Sequence, residues 1–159
     1  NAPRLNGLQT WYLERQLKYY QLGIRGAHPE DLYGRQMAPM AGMLTSDEAI
    51  RNMASYISQL AVTDAPDTIS GDSARGMAIY SSNCAACHGN DGMGSWATDA
   101  PHIAGMSDWY VATQLSNFKA KIRGAHADDD YGEQMVSFAT AMRNEQPMHD
   151  VISYLNSLQ

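Results

Sequence analysis

The chain contains a long internal repeat, and this repeat limits its fold more than any other feature of the sequence. When the sequence is shifted by 98 positions, residues 3–60 align with residues 101–158 without a gap, and 20 of the 58 aligned pairs are identical. The longest identical run, IRGAH, occurs at residues 24–28 and again at residues 122–126. Such agreement indicates a duplicated unit, so the 159 residues are expected to form two related domains.

Both copies are predicted to be helical, because apolar residues recur every three or four positions and no segment of useful length alternates as a strand does. In the second copy, Ser107 and Asp108 can cap a helix that reaches about Phe118. Thr10 begins the matching helix of the first copy, and Ser46 begins a further helix. The apolar face of that further helix comprises Ile50, Met53, Ile57 and Leu60. The apolar face of its counterpart in the second copy comprises Val151, Leu155 and Leu158.

The predicted fold class is therefore all-α, with two tandem domains joined by a short connection. Residues 1–60 form the first domain, and residues 72–159 form the second. Residues 61–71 contain Pro66 together with Thr, Asp and Ser, a composition typical of a linker.

Composition and charge exclude several classes of protein. Hydrophobic residues make up 44% and charged residues 18% of the chain, which rules out a mainly disordered protein. The net charge of -6 argues against nucleic acid as the main partner. No apolar run approaches the ~20 residues of a membrane span. Because the sequence starts at Asn1 without an initiator Met, we expect a processed or trimmed chain.

The two cysteines of the chain lie in one short motif, Cys84-Ala-Ala-Cys87-His88. A helix capped by Asp72 is predicted to lead into it. The C-x-x-C-H pattern is typical of covalent haem attachment. Two thiols at this spacing can add to the two vinyl groups of haem c, and the histidine that follows can bind the iron. The motif therefore predicts one haem c on the second copy.

Three other interpretations of this motif stay open, although haem attachment is favoured. A thioredoxin-like redox pair would need a strand before it and a βαβ context, and the sequence shows neither. A zinc site would need two more ligands, and the other histidines are scattered. A structural disulfide across two residues is rarer than either.

Met135 is the leading candidate for a sixth iron ligand. It follows His88 by 47 residues, and it belongs to a repeated Gln-Met pair in what we predict to be a loop after the glycine-rich stretch 124–132. The alternative role is that of a core residue, which is common for methionine. Met142 and His126 are the other candidates, and His126 could instead only hydrogen-bond within its own loop.

Further residues are expected around the haem. A ligating histidine usually donates its second ring N–H to an oxygen, and the Pro101 carbonyl is the expected acceptor. Gly76 is expected to allow a close crossing of two helices against Tyr154. The side chains that could reach the haem propionates are Trp109, Tyr110, Gln114 and Arg123. For Trp109 and Tyr110, the alternative is ordinary packing at the haem edge.

Taken together, the motifs resemble a class I cytochrome c, and their duplication resembles the tandem di-haem group called cytochrome c4. The resemblance covers nearly the whole chain. It implies two small helical haem domains, a periplasmic location, and one-electron transfer with redox partners such as a terminal oxidase or reductase. It also allows a peripheral association with a membrane, and it leaves the oligomeric state open. The motifs are Cys84-Ala-Ala-Cys-His88-Gly89-x-Asp91-Gly92-x-Gly94, Pro101-x-x-Ala-Gly105, Tyr110-x-x-x-Gln114-Leu115, Met135-x-x-Phe138 and Tyr154-Leu155.

The resemblance implies thioether bonds at Cys84 and Cys87, with His88 as proximal and Met135 as distal ligand. The first copy departs from the family pattern, because it has neither an N-terminal helix nor a C-x-x-C-H motif, yet it keeps Met37 in the Gln-Met context. Either a segment with a first haem site is missing upstream, or this copy has lost its haem.

We expect the missing segment, because the last helix of the first copy has an apolar face that would otherwise be costly to expose. Met37 would then ligate a first haem. An electron carrier is expected rather than an enzyme. The alternatives are a haem subunit or domain of an oxidoreductase complex, or a haem peroxidase.

Overall fold

The computed structural model describes residues 2–62 and 66–158, and within these ranges the chain is helical apart from its loops. The only extended pairing among the described residues is an isolated bridge between Ser95 and Ala100, so the predicted all-α class is confirmed. None of the described helices combines the length and apolarity that crossing a membrane requires. The helices are α1 Thr10–Gln21, α2 Leu32–Gly42, α3 Asp47–Ser58, α4 Ser73–Asn83, α5 Ala85–His88, α6 Asp108–Lys119, α7 Asp130–Ala141 and α8 Glu145–Asn156, with a 3-10 turn at Trp96–Thr98.

Short polar side chains begin most of these helices, as the sequence predicts for Ser46 and Asp72. The Ser46 hydroxyl accepts the Ala49 N–H, and the Asp72 carboxylate accepts the Arg75 N–H. Ser107 also stands at the start of α6, but its side chain makes no cap hydrogen bond.

The predicted loop placement of Met135 is wrong, and its repeat counterpart Met37 is helical as well. Met135 lies in α7 and Met37 lies in α2, each in the second turn of its helix. In α7, the carboxylate of Asp129 accepts the Gly132 N–H at 3.0 Å and so starts a helix where the glycine content suggested a loop. Asp31 does the same for α2 through Gly34, at 2.9 Å.

The close approach of α4 and α8 fixes the second copy. Gly76 lies where these helices cross, and a Cβ at this position would overlap the carbonyl oxygen of Asp150 and touch Tyr154. The predicted contact of Gly76 with Tyr154 is therefore confirmed. Tyr80, one turn further along α4, is 1% exposed, and its ring lies 5.3 Å from that of Tyr154. The resulting cluster buries Tyr80, Val151 and Leu155.

A buried carboxylate ties the two helices together near this crossing. Asp150 on α8 is 2% exposed, and it accepts hydrogen bonds from the Asp72 N–H at 2.8 Å and from Arg75 Nε at 2.9 Å. Gln146, one turn earlier on α8, donates to it at 2.9 Å. Chiefly because of the Arg75 hydrogen bond, the pKa of Asp150 lies well below its usual range.

The first copy repeats the packing of the second only in part. Ile50 and Ala54 of α3 are buried against the rest of the copy. Met53 and Tyr56 stand where the second copy has Val151 and Tyr154, yet they are 39% and 64% exposed. Within the described part of the chain, no helix crosses α3 as α4 crosses α8.

The predicted linker is attached to the second copy at its far end. Residues 63–65 of the linker lie outside the described residues. Beyond them, the Asp108 carboxylate accepts the Thr68 hydroxyl at 2.8 Å and the Ile69 N–H at 2.7 Å. Ile69 also packs against the core that surrounds α6 and α7.

Replacing Gly76 with alanine tests the crossing. The added methyl group must push α4 away from α8, so we expect Gly76→Ala to lower the free energy of unfolding by about 1–3 kcal/mol. Gly42→Ala is the matched control, because a Cβ on Gly42 has no neighbour within 4 Å and alanine favours helices. Urea unfolding measures both variants, and an equal effect of the two would contradict the role given to Gly76.

The Asp150 carboxylate predicts an acid-sensitive component of stability. Because its pKa is lowered by folding, this component is fully present above about pH 4, where the unfolded carboxyl ionises, and is lost as the pH falls below that value. Asp150→Asn should therefore be less stable at neutral pH, and its stability should fall less on acidification. Urea unfolding at several pH values measures this, with the exposed residue Asp67 replaced by Asn as control. Parallel pH curves for wild type and Asp150→Asn would contradict it.

Candidate functional site

The two cysteines lie at the junction of α4 and α5. Cys84 ends α4, where its N–H donates to the Tyr80 carbonyl at 2.8 Å, and α5 then carries Cys87 and His88. The Tyr80 hydroxyl donates to the Gly89 carbonyl at 2.7 Å and so holds the far end of α5. Both thiols are free, and both line a largely apolar cavity that is partly open to solvent.

His88 lines the same cavity and is only 7% exposed. Its Nδ1 lies 2.9 Å from the Pro101 carbonyl oxygen, which is the contact that the sequence predicted. A carbonyl oxygen can only accept, so we assign the proton to Nδ1, and the lone pair of Nε2 is then available to a metal ion. Burial lowers the pKa of His88, which keeps the imidazole neutral at neutral pH.

A glycine-rich loop brings Pro101 to this histidine. Gly94 has φ of 76°, and its N–H donates to the His88 carbonyl at 2.8 Å. A Cβ on Gly94 would overlap the backbone of Ala100, Pro101 and His102. Glycine is required here both for the left-handed backbone and for the close contact between the two stretches.

Met135 lines the cavity too, although it lies on a helix rather than in a loop. It is half-buried and packs against the core of the second copy. Met142 also lines the cavity and is 7% exposed. His126 is exposed, and its Nδ1 accepts the Asp128 N–H at 3.1 Å, so it hydrogen-bonds within its own loop.

The four predicted propionate partners are not all brought together. Tyr110, Gln114 and Arg123 line the cavity. Trp109 is not among the lining residues, and its ring instead contacts that of Tyr110 edge-on, with 6.0 Å between centroids. For Trp109 the packing alternative therefore describes the structure better.

Two arginines that correspond in the repeat connect the two copies. Arg25 donates to Gln16 of its own copy at 2.6 Å and to Tyr110 of the second copy at 2.8 Å. Arg123 donates to Gln114 of its own copy at 2.7 Å and to Gln16 of the first copy at 3.0 Å. Each arginine thus bonds the glutamine of its own copy and a partner in the other copy.

Sequence reasoning nominated only the second-copy half of this network and missed Tyr12, Gln16 and Arg25. Their exact repetition was the signal that could have found them. Neither arginine has a carboxylate partner among the described residues. Burial tends to raise the pKa of Tyr12, but the charges of Arg123 and Arg25 outweigh it and lower that pKa. The site is therefore positively charged near Arg25 and Arg123, and this region would favour a bound carboxylate.

The cysteine environment distinguishes between the interpretations of the motif. Burial raises the pKa of Cys84 to about 11, with a smaller contribution from Cys87. Redox-active C-x-x-C pairs have lowered thiol pKa values, so this one behaves differently. In the described part of the chain, no three His, Cys, Asp or Glu side chains form a possible metal site, so a zinc ion would find no further ligands there.

The residues present fit haem c. Two thiols and the free Nε2 of a neutral histidine face one apolar cavity, and Arg123 adds a positive charge to its lining. Haem has the matching chemistry, with two vinyl groups, an iron atom, an apolar ring and two carboxylates. The fit rests on the donor set and on the cavity that its members share.

Known proteins agree with this interpretation. A family model described as Cytochrome c matches residues 73–159. Cytochrome c4 of Azotobacter vinelandii is 29% identical over 99% of this chain and 77% of that protein. The structure of Acidithiobacillus ferrooxidans cytochrome c4 superposes with a TM-score of 0.74 and 29% identity, over 98% of this chain and 88% of that one. The cbb3-type cytochrome c oxidase subunit FixP of Bradyrhizobium diazoefficiens is 32% identical over 57% of this chain and 31% of that protein.

The family model covers more than half of the chain and includes the whole C-x-x-C-H region. The relatives extend the similarity through the first copy as well. The chain belongs to the cytochrome c family, and its cofactor is haem c attached at Cys84 and Cys87.

Proposed function

We propose that this protein is a periplasmic one-electron carrier between respiratory redox proteins, with His88 and Met135 as the two axial ligands of its haem iron. When bound, haem c supplies an iron that alternates between the ferrous and ferric states by gaining or losing one electron. The observation that carries the proposal is that His88, Met135 and both cysteines line one cavity. If both axial positions are filled by protein, no position remains for a substrate, which favours electron transfer over catalysis.

Met135 is preferred to Met142 as the distal ligand for two reasons. Met135 is repeated as Met37, whereas the counterpart of Met142 is Leu44, which cannot bind a metal ion. Met142 is also part of the buried core, with 7% of its surface exposed. Packing in the core therefore accounts fully for the presence of Met142, but it accounts only in part for the repeated and half-buried Met135.

The remaining residues of the site have supporting roles in this proposal. Arg123, Tyr110 and Gln114 would hold the haem carboxylates, because they present hydrogen-bond donors and a positive charge to the cavity. Apolar side chains such as Leu115 and Phe118 would exclude water from the ring, which also raises the reduction potential. The packed helices keep both ligands in place, so the two redox states can differ little in structure.

Met37 would take the corresponding role toward a second haem. It is the repeat counterpart of Met135, and it lies at the same position of α2 as Met135 does of α7. Both cysteines of this sequence belong to the second copy. The role of Met37 therefore depends on a further attachment motif that accompanies the first copy.

The proposed partners are redox proteins of a respiratory chain. The relative FixP is described as a subunit of a cbb3-type cytochrome c oxidase, and a terminal oxidase is accordingly the first candidate acceptor. The net charge of -6 and the exposed residues Asp128, Asp130 and Glu133 beside the cavity favour a partner with a basic surface.

Replacing Met135 tests the ligand assignment. Met135→Ala should remove the weak far-red absorption band of a methionine–iron(III) bond, lower the reduction potential, and let the ferrous protein bind carbon monoxide. Met142→Leu is the matched control and should keep the band, since leucine preserves most of the core volume. Loss of the band in Met142→Leu but not in Met135→Ala would reverse the assignment. Rapid carbon monoxide binding by the wild type would favour a catalytic or gas-binding haem instead.

Salt dependence tests the proposed partner surface. The rate of electron transfer to a purified cbb3-type oxidase should fall as the ionic strength rises, because screening weakens the attraction between opposite charges. The double variant Asp130→Asn/Glu133→Gln should transfer more slowly at low salt and depend less on salt. Glu48→Gln, on the first copy, serves as control. A rate that does not change with ionic strength would exclude steering by charge.

A further inference from the structure

The loop of residues 89–107, between α5 and α6, carries Pro101 and is called the haem loop below. One of its peptide units is held by hydrogen bonds at both ends. The unit between Pro101 and His102 presents its C=O to His88 Nδ1 at 2.9 Å. It presents its N–H to the side-chain oxygen of Gln9, at 3.0 Å. Gln9 belongs to the first copy and stands directly before α1, so a residue more than ninety positions away holds the group that orients His88.

Gln9 also bonds the other stretch of backbone in the same loop, at Met93. Its side-chain nitrogen donates to the Met93 carbonyl at 2.7 Å, beside the close contact between Gly94 and Pro101. A single amide group thus bonds both stretches of backbone that meet next to His88. Because that amide uses its donor and its acceptor at once, the contact fixes the separation of the two stretches as well as their position.

A second contact from the first copy holds the same place. His102 Nδ1 lies 2.9 Å from the Gly7 carbonyl oxygen. Leu8, between Gly7 and Gln9, is 5% exposed and lies in a core cluster against which Met106 packs. Three successive residues of the first copy therefore anchor it to the haem loop, and the apolar contact keeps the short segment from moving away.

We infer that Gln9 is a positioning residue for the axial histidine His88, acting through the Pro101–His102 peptide. This inference rests on the proposed function, since it requires His88 to bind the iron. The peptide unit is planar and trans, so a pull on its N–H fixes the direction of its C=O. Hydrogen bonds in such a chain also polarise one another, so the Gln9 contact strengthens the bond that His88 donates to Pro101.

The consequence is electronic as well as geometric. A stronger hydrogen bond from Nδ1 makes the imidazole a more basic ligand, and a more basic ligand stabilises the ferric state. Gln9 therefore holds the reduction potential of the second-copy haem below the value it would have without this contact.

The contact is not part of the duplicated pattern. The repeat counterpart of Gln9 is Ser107, which has no side-chain amide, so the side-chain half of this contact is absent from the other copy. The two copies share most of the residues that surround Arg25 and Arg123, but here the first copy acts on the loop of the second through residues of its own.

The test compares Gln9→Met with Gln21→Met in the haem-containing protein. Both substitutions keep the side-chain volume and remove two amide hydrogen bonds, but those of Gln21 go to Ala41 and Leu44 within the first copy. At a fixed solution potential, Gln9→Met should raise the ratio of reduced to oxidised haem by a factor of roughly 1.2 to 1.7, because neighbouring hydrogen bonds in a chain strengthen one another by ~10–30% of the ~1 kcal/mol of an ordinary hydrogen bond. Gln21→Met should leave the ratio unchanged. Gln9→Asn, which shortens the reach of the amide, is a milder second variant with a shift in the same direction.

Proton NMR of the ferric protein separates the possible failures. In Gln9→Met, the Nδ1 proton of His88 should exchange faster with solvent and change its shift, whereas urea unfolding should show comparable stabilities for Gln9→Met and Gln21→Met. If His88 binds the iron in the wild type but the two variants have equal potentials, or the ratio falls in Gln9→Met, the role of Gln9 is overturned. If the wild-type His88 ring shows no iron-induced shifts, the proposed function itself fails.

Discussion

The close packing of α4 on α8 is the constraint on which the rest of the second copy depends. Gly76 lets the two backbones touch, and Asp150 bonds the first turn of α4 from the α8 side. With α4 fixed, Tyr80 can be buried and can hold α5 through its hydroxyl group. The motif Cys84–His88 thereby has one position relative to the cavity. The haem site is therefore positioned by contacts that lie behind it and involve no haem-binding residue.

The connection between the copies has a different basis, which is a set of reciprocal hydrogen bonds made by residues that correspond in the repeat. Arg25 and Arg123 occupy corresponding positions, and each donates to the glutamine of its own copy and to a partner in the other. Arg25 is buried and Arg123 is half-buried, and a guanidinium group withdrawn from water without a carboxylate is costly unless its donors find oxygens. Tyr12 and Tyr110 supply two of these oxygens. Because the same residues occur in both copies, each copy supplies one half of the interface that joins them.

The sequence predicts those parts of the molecule that depend on local spacing or on repetition. The C-x-x-C-H motif, the acceptor role of Pro101 and the crossing at Gly76 are each set by residues whose chemistry allows few alternatives. The helical position of Met135 was not predicted, because the glycine-rich stretch obscured the cap formed by Asp129. The role of Gln9 could not be predicted at all, since it arises only when the two copies dock.

The same docking also places a side chain of the first copy at the second-copy cavity. Arg15 of α1 lines that cavity, donates to the Asp99 carboxylate at 3.1 Å, and lies over the Tyr131 ring with 4.6 Å to its centroid. Tyr131 in turn donates to Asp99 at 2.8 Å. Because Arg15 and Asp99 compensate each other, the rim is closed without adding net charge near the haem. The second copy alone would lack both this closure and the contact of Gln9, so the second-copy cavity has its described structure only when the first copy packs against it.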